Sequence, residues 1–523
     1  MSVSRKLSRR HFLSLAGKGI GYSALAAAAS ACGGGGGSGG VAAPPPNPPA
    51  PDPDPDPPPT VRIPSPSTEF SVLKRTSFGV NKSSLAAIES IGVLPYLAQQ
   101  LDYENIDATL IETAVAAEFP LAASAPPALR PGFPDNIEAV VRDLVGATQY
   151  RACFSPRQLY EVMVEFWSNH FSIQLINGFE PVLKPEDDAR VIRPHALGNF
   201  RDLLFASAKS GAMIYYLDNF LNTAEAPNEN YARELLELHT MGVDGGYSEQ
   251  DIKEVARCFT GWTLDFNTAE FTFVPFFHDD GPKVVLGQSI PAGGGISDGE
   301  TVLDMIAAHP STARFIATKL CRRFISDEPA SGVVDSVADA FRLSNGDIRV
   351  TLEALFVSDE FMLTSDSKLS RPLEFLGQAV RSLNPDLSLP GDRGELLFGV
   401  ASVLGQLPFY WPTPDGYPDT AAYWGSTGGL LNRWRIALGL SFGSFFPLNA
   451  LIGAEDTIAT IVERLADEVL MRPMAPSDRQ LLVDWAVETI GLPADSAIPA
   501  AVIPEVLPII VSLLLSSVYF QLR

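Results

Sequence analysis

Histidine is scarce in this 523-residue chain, with six in all. Five of them, His170, His195, His239, His278 and His309, lie beyond residue 60. Imidazole joined to carboxylate is a ligand set for zinc, manganese or non-haem iron. One reading therefore gathers His170, His195 and His239 with His278 and Asp279 or Asp280 around a divalent metal. The other makes each a core histidine bonded to backbone carbonyls. A 100° helical step puts Glu161, Glu165, Ser168 and Asn169 on one side of the helix that ends near residue 170, with His170 opposite, between Phe166 and Trp167. The same step puts Asn230, Arg233, Glu234 and Glu237 on one face, and His239 with Leu235, Leu236 and Leu238. The pairs Glu165/His170 and Glu234/His239 are then not local metal pairs, which excludes the Glu-x-x-His arrangement of di-iron bundles.

The carboxylates suggest a second chemistry. Glu165, Glu234 and Glu237 with Arg233 could do general acid–base work on a glycoside or peptide. A neighbouring guanidinium lowers carboxylate pKa values, which is wrong for a general acid. The alternative is a structural network in which Arg233 bonds carboxylates across a helix interface. No P-loop, GxSxG or HExxH motif occurs. The glycines of 242–246 read as a helix C-cap and turn, with too few oxygen ligands for calcium. The loop from Tyr410 to Tyr417 suits stacking of a polysaccharide or peptide ligand, or simple surface packing.

Helical periodicity dominates the elements that must position these groups, with expected helices that include 82–101, 156–172, 228–240, 249–262, 311–325 and 502–520. Ser248 followed by Asp251, and Ser297 by Glu300, read as capping boxes. Aromatic alternation at 271–274 and the apolar run 283–287, around Asp280-Gly281, predict one β-hairpin. The apolar run 506–520 is too short to span a bilayer and reads as a buried closing helix. The expected fold is a mostly α, multi-helical globule in two subdomains, 62–385 and 386–523, with one short β-hairpin insertion. About 460 residues exceed the usual single-core limit of roughly 250–300.

Before this body stands Ser8-Arg9-Arg10-His11-Phe12-Leu13, a twin-arginine export pattern, followed by a short apolar stretch to Ala31. Ala29-Ser30-Ala31 is a cleavage box for ordinary signal peptidase, while Cys32 after small residues resembles a lipoprotein box. The Gly/Ser segment behind Cys32 favours lipidation, since a tethered domain needs a spacer. Residues 41–60 are Pro-dense and read as an extended linker. Removing residues 1–31 takes away five basic residues and no acidic ones, which leaves 61 acidic against 33 basic and a formal charge of −28. That balance argues against nucleic acid as a partner and leaves the lipid anchor as the only membrane contact. Cys153, Cys258 and Cys321 show no metal-site spacing and read as buried thiols.

Several segments together resemble the bacterial exported family catalogued as domain of unknown function 1800. They are 73–79, Phe-Trp-Ser-Asn-His-Phe at 166–171, 192–198, 216–219, the run from Asn230 to Thr240, 242–247, 260–263, 278–281, 309–310 and Pro-Asp-Gly-Tyr-Pro at 414–418. The resemblance runs from about residue 70 to the C-terminus. It implies a secreted or periplasmic, mostly helical protein, often encoded beside a sulfatase-like partner family. One departure is Tyr519, where the family has an acidic residue. Two functions follow as expectations: a metal-dependent hydrolase with a His/Asp site in the periplasm or on the outer membrane, or a non-enzymatic, envelope-tethered partner of a sulfatase-like protein.

Overall fold

The computed structural model describes residues 63–175, 178–383, 393–442, 453 and 456–523. The export signal, Cys32, the Pro-rich linker and the expected boundary at 385/386 lie outside the described residues. The Ser67 hydroxyl accepts from the Phe70 N–H at 3.1 Å and so starts the helix Thr68–Thr76. Gly92, at φ +86°, ends Lys82–Ile91 and splits the expected 82–101 helix before Val93–Leu101. Ser248 and Asp251 form their capping box and open Glu249–Cys258. That helix stops four residues before the expectation, because Gly261 takes φ +78° and the chain turns into a strand. Ser297 and Glu300 make no box: the helix begins at Ile296, and Glu300 pairs instead with Lys209 at 2.7 Å.

The single expected hairpin is two strand pairs. Strand β1 (Trp262–Leu264) runs antiparallel to β2 (Phe271–Phe273), and β3 (Lys283–Val285) to β4 (Gln288–Ile290). The Asp-Gly turn therefore does not join β2 to β3. Asp279 is drawn off by Arg257, which donates from Nε at 2.7 Å, and the segment between the strands wraps around a buried His278.

From Pro64 to Arg523 the chain is one compact unit. The sides of the expected boundary share a core in which Ala401 and Leu407 pack with Val141, Leu144 and Val145. They also share a buried charge cluster. Glu374 lies 3.0 Å from Arg323, 3.2 Å from Arg371 and 3.1 Å from Arg523. Arg371 also makes a paired contact with Glu165 at 2.7 and 3.1 Å. Burial pushes the Glu374 carboxyl up, but Arg523, Arg323 and Arg371 outweigh it and hold it well below the ordinary range. The helix Ile503–Ser516 closes the core with Leu507, Ile510, Val511, Leu514 and Leu515 all buried. Tyr519, the departure from the family pattern, donates its hydroxyl to Asp478 at 2.6 Å. Among the described residues no helix is long and apolar enough to cross a membrane.

Glu374→Gln keeps the shape and removes the charge three arginines converge on. It should cost about 3–5 kcal/mol, the usual penalty for uncompensated buried cations. Urea midpoints read this, and a loss under about 1 kcal/mol would show that the cluster holds without its anion.

Candidate functional site

The helix Gln158–His170 carries groups on two faces, and each face meets a different partner. On the polar face, Glu161 accepts from Arg193 Nη2 at 3.0 Å and Nη1 at 3.3 Å, and Glu165 from Arg371 as above. Asn169 exchanges two hydrogen bonds with the Tyr417 backbone: its amide donates to Tyr417 O at 3.0 Å, and its Oδ1 accepts from Tyr417 N at 2.7 Å. Gly416, at φ +74°, makes this close approach feasible, since a Cβ there would sit 2.1 Å from the Asn169 carbonyl oxygen. The Pro-Asp-Gly-Tyr-Pro loop is thereby clamped to the helix end, one residue from His170.

The other face is apolar. His170 is buried among Phe166, Trp167, Phe171 and Phe315. Its Nε2 lies 3.0 Å from the His239 carbonyl oxygen, which can only accept, so Nε2 carries the proton. Nδ1 is left to accept from Lys319 Nζ at 2.8 Å. Burial and then the Lys319 charge hold His170 neutral, well below the usual histidine range. His239 lies 6.1 Å away, ring centre to ring centre. Burial takes it down to about 3, and its buried Nε2 has no hydrogen-bond partner in the protein. Burial also lowers Lys319, to about 8, against the opposing pull of Asp415 and Asp419. Lys319 is half-buried along its side chain, with its amine turned to the His170 ring.

A π-helical turn, Leu235–His239, interrupts what the periodicity reads as one regular helix. Its wider pitch turns His239 inward while Glu234 and Glu237 stay half-buried. Burial raises the Glu234 pKa, and Glu237 and Asp415 reinforce the rise. Asp415 thus acts electrostatically on Glu234, Lys319 and Tyr216 alike. It is held in place by Trp411 Nε1, which donates to it at 2.8 Å.

Of the expected metal centre, the structure brings only His170 and His239 together. His278 is buried apart from them: its Nδ1 donates to the Thr260 carbonyl at 2.8 Å, and its Nε2 lies 3.2 Å from Asp298. Asp279 is occupied by Arg257, Asp280 is exposed, and His195 is half-buried at the end of Arg193–His195, its pKa lowered by burial. His309 caps the next helix, its Nδ1 accepting from Ser311 N at 3.2 Å. Among the described residues no three His, Cys, Asp or Glu side chains are placed to hold a metal ion. The His170 lone pair, on Nδ1, is taken by the Lys319 ammonium. The expected acid–base set is also divided. Glu165 belongs to Arg371, and Arg233 turns to Glu249 at 2.8 and 2.9 Å, with Glu229 and Glu237 each 3.4 Å away. Cys153, Cys258 and Cys321 are buried free thiols, each pushed up to about 12 by burial.

The sequence reading passes over Lys319, Asp415 and Tyr216. A signal for Lys319 exists: Lys319 and Arg323 stand four apart on a helix whose Ile316, Leu320 and Phe324 are core, and a cation within an apolar stripe needs a buried acceptor.

His170 and His239 are neutral in the fold and take up protons near 6.5 once unfolded. Between about pH 6.5 and the depressed folded values, the unfolded chain therefore binds more protons. Stability is complete above that window and falls as pH drops through it, by about 1.4 kcal/mol per histidine per pH unit. His239→Leu should flatten the slope of unfolding free energy against pH by up to one proton, and an unchanged slope would contradict the burial of a neutral imidazole.

No curated protein matches this chain, and no solved structure does. A family model matches residues 71–522, and the chain belongs to the family described as protein of unknown function (DUF1800).

Proposed function

We propose that this is an exported cell-envelope protein in which Lys319, held by His170, and Glu234 carry out hydrolysis by general acid–base catalysis. The observation behind this reading is the 2.8 Å contact between Lys319 and a neutral His170, with Asp415 acting on both Lys319 and Glu234, a carboxyl whose pKa moves the other way. Two groups pushed in opposite directions are the mark of an acid and a base sharing a site. With a pKa of about 8, Lys319 is about one-tenth free amine at pH 7. In that form it takes a proton from water as the water oxygen bonds to the substrate. The fraction of Glu234 that carries a proton, increased by burial and by Glu237 and Asp415, gives it to the leaving group as the old bond breaks. His170 is a positioning residue: a neutral acceptor fixes the amine without the charge that would restore an ordinary lysine pKa.

The export pattern around Arg9 and Arg10, the Cys32 box and the Gly/Ser spacer support delivery by the twin-arginine route as a lipoprotein of the periplasm or outer membrane. Cys32→Ala should move the protein from the membrane to the soluble envelope fraction, and retention on the membrane would count against the anchor. A second reading, a tethered partner of a sulfatase-like protein, is favoured by one surface feature. Phe276, Phe277, Phe266 and Leu221 are all exposed, Phe276 at 88%, a density of apolar surface that suits protein contact.

Two measurements test the enzyme reading. Reductive ¹³C-methylation followed by NMR should show one lysine titrating near 8, absent in Lys319→Met. Against aryl ester, glycoside and peptide substrates, Lys319→Met and Glu234→Gln should each lower kcat by about 10²–10⁴. A Lys319 that titrates like a surface lysine, or variants that keep full turnover, would end the proposal.

A further inference from the structure

Across the polar face of Gln158–His170 lies a pocket of about 30 Å³, room for a single water-sized group. Its floor is Ser168 and Asp188, and its mouth is formed by Phe409, Trp411 and Tyr417. Ser168 is 8% exposed and Asp188 3%, yet Ser168 Oγ and Asp188 Oδ1 have no hydrogen-bond partner in the protein. The other Asp188 oxygen accepts from Arg193 Nε at 2.9 Å. Buried polar atoms left open in this way require a partner of complementary type.

The charge balance limits what that partner is. Arg193 is shared by Asp188 and Glu161, and Arg371 by Glu374 and Glu165, which is also on the wall. These carboxylates repel an anion, and among the described residues no three ligand groups are placed to hold a metal ion. A hydroxyl suits both open atoms, donating to the carboxylate oxygen and exchanging a hydrogen bond with Ser168. Around the mouth stand Trp411, Tyr417, Tyr423 and Trp424, in contact at centroid distances of 4.7–5.9 Å. Their orientation is fixed: Trp411 Nε1 is held by Asp415, Tyr417 Oη by the Leu407 carbonyl at 2.8 Å, and Trp424 Nε1 by the Pro418 carbonyl at 2.7 Å. A proline-rich peptide uses free indole N–H donors on such a surface, and here both are spent internally. The aromatic faces remain for C–H-rich rings.

We infer that this pocket is a subsite for a neutral saccharide. One primary hydroxyl enters between Ser168 and Asp188, and the sugar ring lies against Trp411 and Tyr417. The inference stands apart from the Lys319 reading, since it concerns binding alone. If both hold, the substrate class of the Lys319 site is a neutral glycan, because Asn169 and the 414–418 loop border both sites.

The test is titration of the full chain with cellohexaose, maltohexaose and chitohexaose, followed by tryptophan fluorescence and calorimetry. At least one glycan should bind saturably. Trp411→Ala and Ser168→Ala should each weaken binding by about tenfold or more, and Lys319→Met by much less than either. Ser168→Ala is small enough to keep the fold, which thermal melting checks. Absence of saturable binding to all three glycans overturns the inference, as does binding indifferent to both substitutions, capture of a polyproline peptide at the same surface, or a pocket that holds only ordered water in a glycan-soaked crystal. If binding survives in Lys319→Met while no turnover is found for the intact chain, the subsite stands and the catalytic reading falls.

Discussion

Arg371 is 2% exposed and has three carboxylates within reach: Glu165 on the Gln158–His170 helix, Glu374 three residues on, and Asp419 at 4.0 Å. A guanidinium cannot shed its proton to escape burial, so the surrounding chain must bring anions to it. Glu374 is in turn shared with Arg323, from the helix that carries Lys319, and with Arg523. Four segments far apart in sequence are thereby locked in one register. Replacing such a cluster by hydrocarbon can be neutral for stability, whereas removing a single member cannot. Its role here is positional. It fixes the angle between the helix that offers His170 and the helix that offers Lys319, and a shift of about an ångström there would break a 2.8 Å contact.

Two π-helical turns flank that frame. Asp188–Ile192 supplies the carboxylate of the small pocket, and Leu235–His239 supplies the second imidazole of the His170–His239 pair. Each inserts a residue into the helical repeat and so re-aims one side chain. Phe409, at the mouth of the pocket, holds φ +65°, a conformation that side chains of its size rarely adopt. Irregular backbone thus borders both the small pocket and the His170–His239 pair.

Helical content was legible because long amphipathic periods leave little choice. The two faces of Gln158–His170 were legible too, since Glu161, Glu165, Ser168 and Asn169 all share one side and His170 the other. Periodicity failed at 230–239, where a 100° step does not describe a π turn, and at 271–285, where each strand pairs outward instead of across the Asp-Gly turn. Histidine count says nothing about position or partner: His170 Nδ1 faces Lys319 and His278 Nε2 faces Asp298, and among the described residues no three ligand groups are placed together. Lys319 was missed because a lysine between Thr318 and Leu320 looks like any helix surface residue until Glu165, Arg371 and Glu374 bring a second helix over it.

The Asn169 clamp couples things that are usually separate. Asp415 rides on the same loop as Tyr417, and its charge is one of those that hold the Lys319 ammonium in its protonated form. Loop placement therefore sets the proton affinity of the amine. Linkage requires the converse: whatever gives up or gains a proton at Lys319 changes how firmly that loop is seated. Occupancy at the aromatic mouth and ionisation at Lys319 then form one thermodynamic cycle, joined through a single glycine turn resting on the end of a helix.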